Sequence, residues 1–284
     1  MVMKIKYWGI FEIILFNFLF VLGLGWIWRA LKQPGGLIMQ QMFYIIVVFF
    51  IIFALKTIKN ESFSGLGYRR PRKQDWMSGL YALLLLFPIA FIARLVDPSF
   101  DIWYASLQGL GTMAGVMIFI STLPFFALKE ELLTRFVQTR LRGYGSMIAV
   151  IAVSINFGAL HLFIAPGATY HGIISAVSVG IGAIFLAVLF EKTRNILVMT
   201  AVHMVFNAII TFQIFFHVAT KWEWAFWTVY GILFLFALRP AWKGFWETFT
   251  EKVSWKELSA VDYLFLSFFA LMLPAGLLAI TYFF

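Results

Sequence analysis

Nine apolar stretches follow one another along the chain, most of them near the roughly 20 residues a helix needs to cross hydrocarbon. They run over about Tyr7–Trp28, Leu37–Leu55, Trp76–Val96, Leu107–Leu128, Ser146–Phe163, Gly172–Phe190, Asn195–Phe216, Trp222–Leu238 and Val261–Phe284. Inside a bilayer every backbone N–H and C=O must find a partner within the protein, so only helices and closed barrels can span it. A barrel strand would alternate polarity over about ten residues. These runs are apolar on every face. The expected fold is therefore all-α: a polytopic transmembrane bundle of about nine helices, with residues 1–284 as one membrane domain. The first run is too long for a cleaved signal peptide, and no small-residue cleavage site follows Trp28.

Composition agrees and removes other classes. Apolar residues make up 62% of the 284 and charged residues 12%, about half the roughly 25% usual in soluble domains. A soluble fold cannot hide that much apolar surface, so a soluble enzyme, a disordered chain and a nucleic-acid-binding module are excluded. Cysteine is absent, which removes disulfides, thiol nucleophiles and Cys-ligated zinc.

The net charge of +9 comes from basic residues placed between the apolar runs, where they act as topology signals. With the N-terminus inside, 18 of the 22 Lys and Arg fall on the inner side, and Arg29, Lys32, Arg94 and Lys221 fall outside. The expectation is an integral protein of a prokaryotic plasma membrane, N-terminus cytoplasmic and C-terminus outside. Pro88, Pro124 and Pro274 interrupt apolar runs and predict kinks. Residues 239–259 carry Trp242, Phe245, Trp246 and Phe249 at helical spacing, which predicts a cytoplasmic amphipathic helix lying on the membrane.

Ionisable side chains within the bilayer cost a few kcal/mol and are functional candidates by default. Of the 13 acidic residues, most flank helices or lie in loops. Glu12, Glu130 and Glu131 do not. Glu130 and Glu131 open the run Glu130-Glu131-Leu132-Leu133-Thr134-Arg135, on a helix predicted to continue from Leu128 to about Arg142. Glu131 and Arg135 are one turn apart and predict an ion pair. Glu130 points about 100° away, without that partner, which suits a general base. The alternative is the solvated face of an interfacial helix.

His161 ends Phe157-Gly158-Ala159-Leu160-His161, and His203 and Asn207 share one face of a later helix. Taken singly, such a residue is more often an interhelical hydrogen-bonding group than a catalytic one. Depth joins them. Measured from the basic end of each helix, Glu130 lies roughly 18 Å in, His161 roughly 22 Å and His203 roughly 14 Å. Three helices thus bring polar groups to one layer, which reads as a site.

Glu and His are general bases, and His with Asn can hydrogen-bond a developing oxyanion, so a carboxylate-activated water attacking an amide fits. The sequence lacks Gly-x-Ser-x-Gly, a mid-membrane Asp pair and His-Glu-x-x-His. Two histidines and a carboxylate can hold zinc, so Glu130, His161 and His203 stay open as ligands. A non-catalytic membrane scaffold or regulator of a partner protein, and a proton-coupled transporter, also remain open.

Glu130-Glu131-x-x-x-Arg135, Phe157-x-x-x-His161 and His203-x-x-x-Asn207 resemble, in order, the three motifs of the CPBP intramembrane proteases. That family includes the CAAX prenyl endopeptidases and bacteriocin-processing proteins. The resemblance covers about residues 107–217, taken as the catalytic core. It implies an intramembrane endopeptidase acting on a membrane-associated peptide, either a prenylated CAAX-like C-terminus or a leader peptide. It implies that Glu130 activates water with His161, that His203 and Asn207 bind the oxyanion, and that Glu131 and Arg135 support them. Zinc and metal-free mechanisms are both associated with the family. No nucleic-acid partner is expected. Family members often carry Gly after the motif Arg, where this chain has Phe136. His171 and His217 match no motif; Glu12 and Asn17 are read as pairing with other helices or lining a substrate path.

Overall fold

The computed structural model describes Glu12, Leu15 and residues 37–58, 67–96, 112–161, 170–219 and 222–249. Among the described residues the regular structure is helical throughout. The helices are α1 (Leu37–Ile58), α2 (Lys73–Leu85), α3 (Phe87–Val96), α4 (Thr112–Leu141), α5 (Ser146–His161), α6 (Tyr170–Thr193), α7 (Ile196–Ala219) and α8 (Glu223–Phe249). The expected run Val261–Phe284 and all but two residues of Tyr7–Trp28 lie outside the described residues. Three described stretches are long and apolar enough to cross a membrane: Lys73–Phe91, Ala176–Thr193 and Glu223–Lys243.

Local sequence explains the boundaries. The run Trp76–Val96 becomes two helices because Pro88 has no N–H and its ring crowds the carbonyl of Leu84. Leu86, between them, donates its N–H to the carbonyls of Ala82 and Leu83 at 3.1 and 3.3 Å. Across Pro124, by contrast, α4 continues unbroken for 30 residues, or roughly 45 Å. It ends at a short 3-10 turn, Arg142–Tyr144, close to the expected end at about Arg142. α8 runs through Arg239 and Pro240 to Phe249; the remainder of 239–259 and Pro274 lie outside the described residues.

α4 is the hub. It packs against α1, α5 and α7, while α5 lies along α6 and α2 contacts α6, α7 and α8. Val48 and Ile52 of α1 meet Leu132, Leu133 and Phe136 of α4 and Ile196 of α7 in one buried cluster. At the α3–α8 contact, the Phe87 ring stands edge-on to Tyr230 at 4.8 Å and Phe91 edge-on to Trp227 at 5.3 Å, a favoured aromatic arrangement. Large apolar side chains face outward: Phe236 is 81% exposed and Phe50 69%. The largely apolar interior also holds Arg135, Gln138 and Glu131, all buried. An apolar outer face around a few buried polar groups suits a protein solvated by lipid.

One crossing bears directly on the site. At Gly158 of α5 an added Cβ would lie 2.6 Å from the carbonyl oxygen of Ala176 and 3.1 Å from the Cα of Gly180, both on α6. Only hydrogen fits there. Gly158→Val should cost about 1–3 kcal/mol by overpacking and displace His161, one turn further on. Thermal unfolding in detergent checks the first effect, and a matching loss of activity the second.

Candidate active site

Three helices supply the polar cluster. α4 contributes Glu130, Glu131 and Arg135, α5 ends on His161, and α7 carries His203 and Asn207. The structure brings Glu130, Glu131, Arg135 and both histidines into one cluster, in which Glu131, Arg135 and His203 are buried and Glu130 and His161 partly so.

His203 is its centre. Nδ1 lies 2.8 Å from Oε1 of Glu131, and Nε2 lies 3.4 Å from Oε2 of Glu130. The ring therefore bridges the two adjacent carboxylates. A carboxylate only accepts, so Nδ1 carries a proton and donates it to Glu131. The other oxygen of Glu131 forms an ion pair with Nε of Arg135 at 3.0 Å, the one-turn pairing expected from the sequence. Glu131 thus has a partner at each oxygen and its side chain is 2% exposed, whereas that of Glu130 is 15% exposed. The two neighbours differ in environment: Glu131 is sealed and Glu130 is the more exposed.

Glu130 is better partnered than the sequence suggested. Besides His203 it faces the ammonium of Lys129 at 3.9 Å. The Phe157 ring lies near both histidines, its centroid 4.6 Å from that of His161 and 6.2 Å from that of His203. Nδ1 of His161 lies 2.8 Å from the carbonyl oxygen of Phe157. Nδ1 must therefore donate, which leaves Nε2 as a free lone pair able to accept a proton. Asn207, half-buried, follows His203 by one turn of α7. The side chains of His171 and His217 and all of Asn17 lie outside the described residues.

Behind Arg135 is a layer that sequence reading missed. Its guanidinium donates to Oε1 of Gln138 and stacks over Phe190 at 5.4 Å. The Gln138 amide donates at 2.9 Å both to the Ala187 carbonyl and to Oε1 of Glu191 on α6. Glu191 in turn pairs with Arg194 and, at 3.5 Å, with Arg142. A continuous chain of polar contacts thus runs from His203 through Glu131, Arg135 and Gln138 to Glu191 and the basic end of the bundle. Glu191 looked like a loop-flanking acid. The available signal was the spacing of Arg135 and Gln138, which puts a second polar residue on the inward face of α4.

The start of α7 is also fixed. Asn195 accepts the N–H groups of Leu197 and Val198 at 3.0 and 3.1 Å, an N-cap that satisfies two otherwise orphaned donors. Its amide donates to the Arg69 carbonyl at 2.9 Å, and Gly67 accepts from Ile196 at 3.2 Å. Gly67 has φ +79°, and a Cβ there would lie 2.6 Å from the Arg194 carbonyl. The segment before α2 thereby clamps the helix that carries His203.

Two further sequence features find their place. Glu12, buried, pairs with Nε of Arg140 at 2.9 Å, so it joins the first apolar run to α4. Phe136, where Gly was the family's usual residue, is fully buried against α1 and lies 5.1 Å beneath the Arg140 guanidinium. It packs away from the carboxylates. For zinc, the geometry gives no support: among the described residues, no three His, Asp or Glu side chains are gathered so as to hold a metal ion.

Residues 112–209, about a third of the chain, match the family model described as type II CAAX prenyl endopeptidase Rce1-like. All seven named residues of the three motifs fall within the match. No curated protein and no solved structure matches the chain. The apolar helices are those of an integral membrane protein, and its residues 112–209 are similar to the Rce1-like type II CAAX prenyl endopeptidases.

Proposed function

We propose that this core hydrolyses a peptide bond in a membrane-associated substrate, with water activated by Glu130. One observation supports the reading above others: His203 bridges two adjacent carboxylates, one sealed by Arg135 and one left accessible. In this mechanism Glu130, assisted by the free Nε2 of His161, takes a proton from water as its oxygen attacks the scissile carbonyl. The developing oxyanion accepts hydrogen bonds from Nε2–H of a cationic His203 and from the Asn207 amide. At 3.4 Å the contact from Nε2 to Glu130 is long for a hydrogen bond, so that N–H is available to a substrate oxygen. The proton held by Glu130 then passes to the leaving nitrogen as the C–N bond breaks. Glu131 and Arg135 never touch substrate; they hold the imidazole in its orientation.

The family match supports a membrane-associated peptide as substrate, and we propose either a prenylated CAAX-like C-terminus or a leader peptide. Entry is proposed from the membrane or from the basic end of the bundle, read as its cytoplasmic face from the distribution of Lys and Arg. The purified protein in liposomes, given a farnesylated CAAX-type peptide and an unmodified leader-type peptide, tests this. Cleavage of either, read by mass spectrometry and persisting after exhaustive chelation, is the expected result. Activity lost with the metal and restored by zinc would move Glu130, His161 and His203 to the role of ligands. Proton-coupled uptake without any cleavage would replace the hydrolase by a transporter. Full biological function in a Glu130→Ala chain would replace it by a scaffold.

A further inference from the structure

A second polar site, separate from the carboxylate cluster, lies at the basic end of the bundle. A cleft of about 520 Å³ opens between α2, α6 and α8, and its lining includes Lys73, Gln74, Tyr81, Lys192, Lys243 and Glu247. Three cations thus face one acid, and that acid approaches Lys243 at 3.9 Å.

The position of these lysines carries the argument. Lys73 is the first residue of the span Lys73–Phe91, Lys192 the penultimate residue of Ala176–Thr193, and Lys243 the last residue of Glu223–Lys243. Each stands where its helix leaves the apolar layer, so the cleft lies at headgroup depth. Its inner end is apolar. Met77 lines it, and Leu80, a turn deeper on the same helix, is 46% exposed. Cationic groups from three helices over an exposed apolar track match a phosphate on a hydrocarbon tail. They do not match a small soluble anion, which has no use for the track. Gln74 and Tyr81 add neutral hydrogen-bonding groups of the kind that hold phosphate oxygens.

We propose that this cleft binds the phosphate headgroup of an anionic phospholipid, its acyl chain lying along the Met77 and Leu80 face of α2. The site stands whether or not the carboxylate cluster hydrolyses peptides.

Native mass spectrometry of the delipidated full-length protein, given phosphatidylglycerol or phosphatidylcholine in detergent, tests it. The wild type should retain phosphatidylglycerol in preference to phosphatidylcholine. The triple variant Lys73→Gln, Lys192→Gln, Lys243→Gln should bind it on the order of a hundredfold more weakly. All three lysines are exposed, so the variant should unfold at the wild-type temperature, which separates lost binding from lost folding. Equal retention of phosphatidylglycerol by a folded triple variant would overturn the proposal. So would equal retention of phosphatidylcholine by the wild type. Displacement of the lipid by millimolar inorganic phosphate, with glycerol phosphate binding as well as phosphatidylglycerol, would show a phosphate site with no use for the lipid.

Discussion

Glu130→Gln should lower the rate of peptide cleavage by roughly 10²–10⁴-fold, the usual contribution of a positioned general base. The amide keeps the size of the carboxyl group and can still meet His203, but it cannot take a proton from water. The loss should fall on kcat with KM little changed, because Glu130 acts on the attacking water and not on substrate binding. Folding should be intact. Glu130 is the accessible member of the pair, and its nearest contacts, to His203 at 3.4 Å and Lys129 at 3.9 Å, are both long. Steady-state kinetics beside thermal unfolding in detergent checks both halves. A kcat unchanged in Glu130→Gln would remove it as the base.

Arg135→Met should act the other way, on the structure first. Arg135 is 1% exposed and its loss strands Glu131, buried, with one oxygen unpaired. Breaking a buried pair by removing one partner costs about 3–5 kcal/mol, a large part of the stability of a typical domain. Activity should fall too, since Glu131 is what orients His203. Pairing Arg135→Met with Glu131→Gln should recover part of the stability, because no charge is then left stranded, and the two effects should be clearly non-additive. Unfolding midpoints for the two single variants and the double variant decide it. Additive losses would mean that the ion pair does not couple these positions. Glu191→Gln, two contacts away through Gln138, should show a smaller version of the same loss.

The two expectations rest on different kinds of legibility. The Glu131–Arg135 pair was readable because both residues sit on one helix at fixed spacing, where geometry needs no tertiary information. The meeting of three helices was readable from depth, because a bilayer sets a common axis along which residues can be counted. Depth carries no azimuth, however. Nothing in the spacing indicates that His203 bridges both carboxylates, or that Glu130 has the imidazole as a neighbour. The link from Gln138 to Glu191 spans α4 and α6 and depends on how those helices face one another. Proline shows the same limit: Pro88 divides its apolar run into two helices, while Pro124 lies within one continuous helix. Neighbouring helices decide whether the freed carbonyl is tolerated. The buried end of the Glu12–Arg140 pair was visible only as an acid out of place.

The central claim is that Glu130 activates water to cut a membrane-associated peptide. Mass spectrometry of membrane peptides from cells carrying the wild-type chain or Glu130→Gln at equal abundance tests it most directly. The account predicts that one set of shortened peptides, ending at a common cleavage position, is present with the wild type and missing with Glu130→Gln, while their uncut precursors accumulate. Identical peptide profiles in the two cells, with the wild-type protein folded and present, would contradict it.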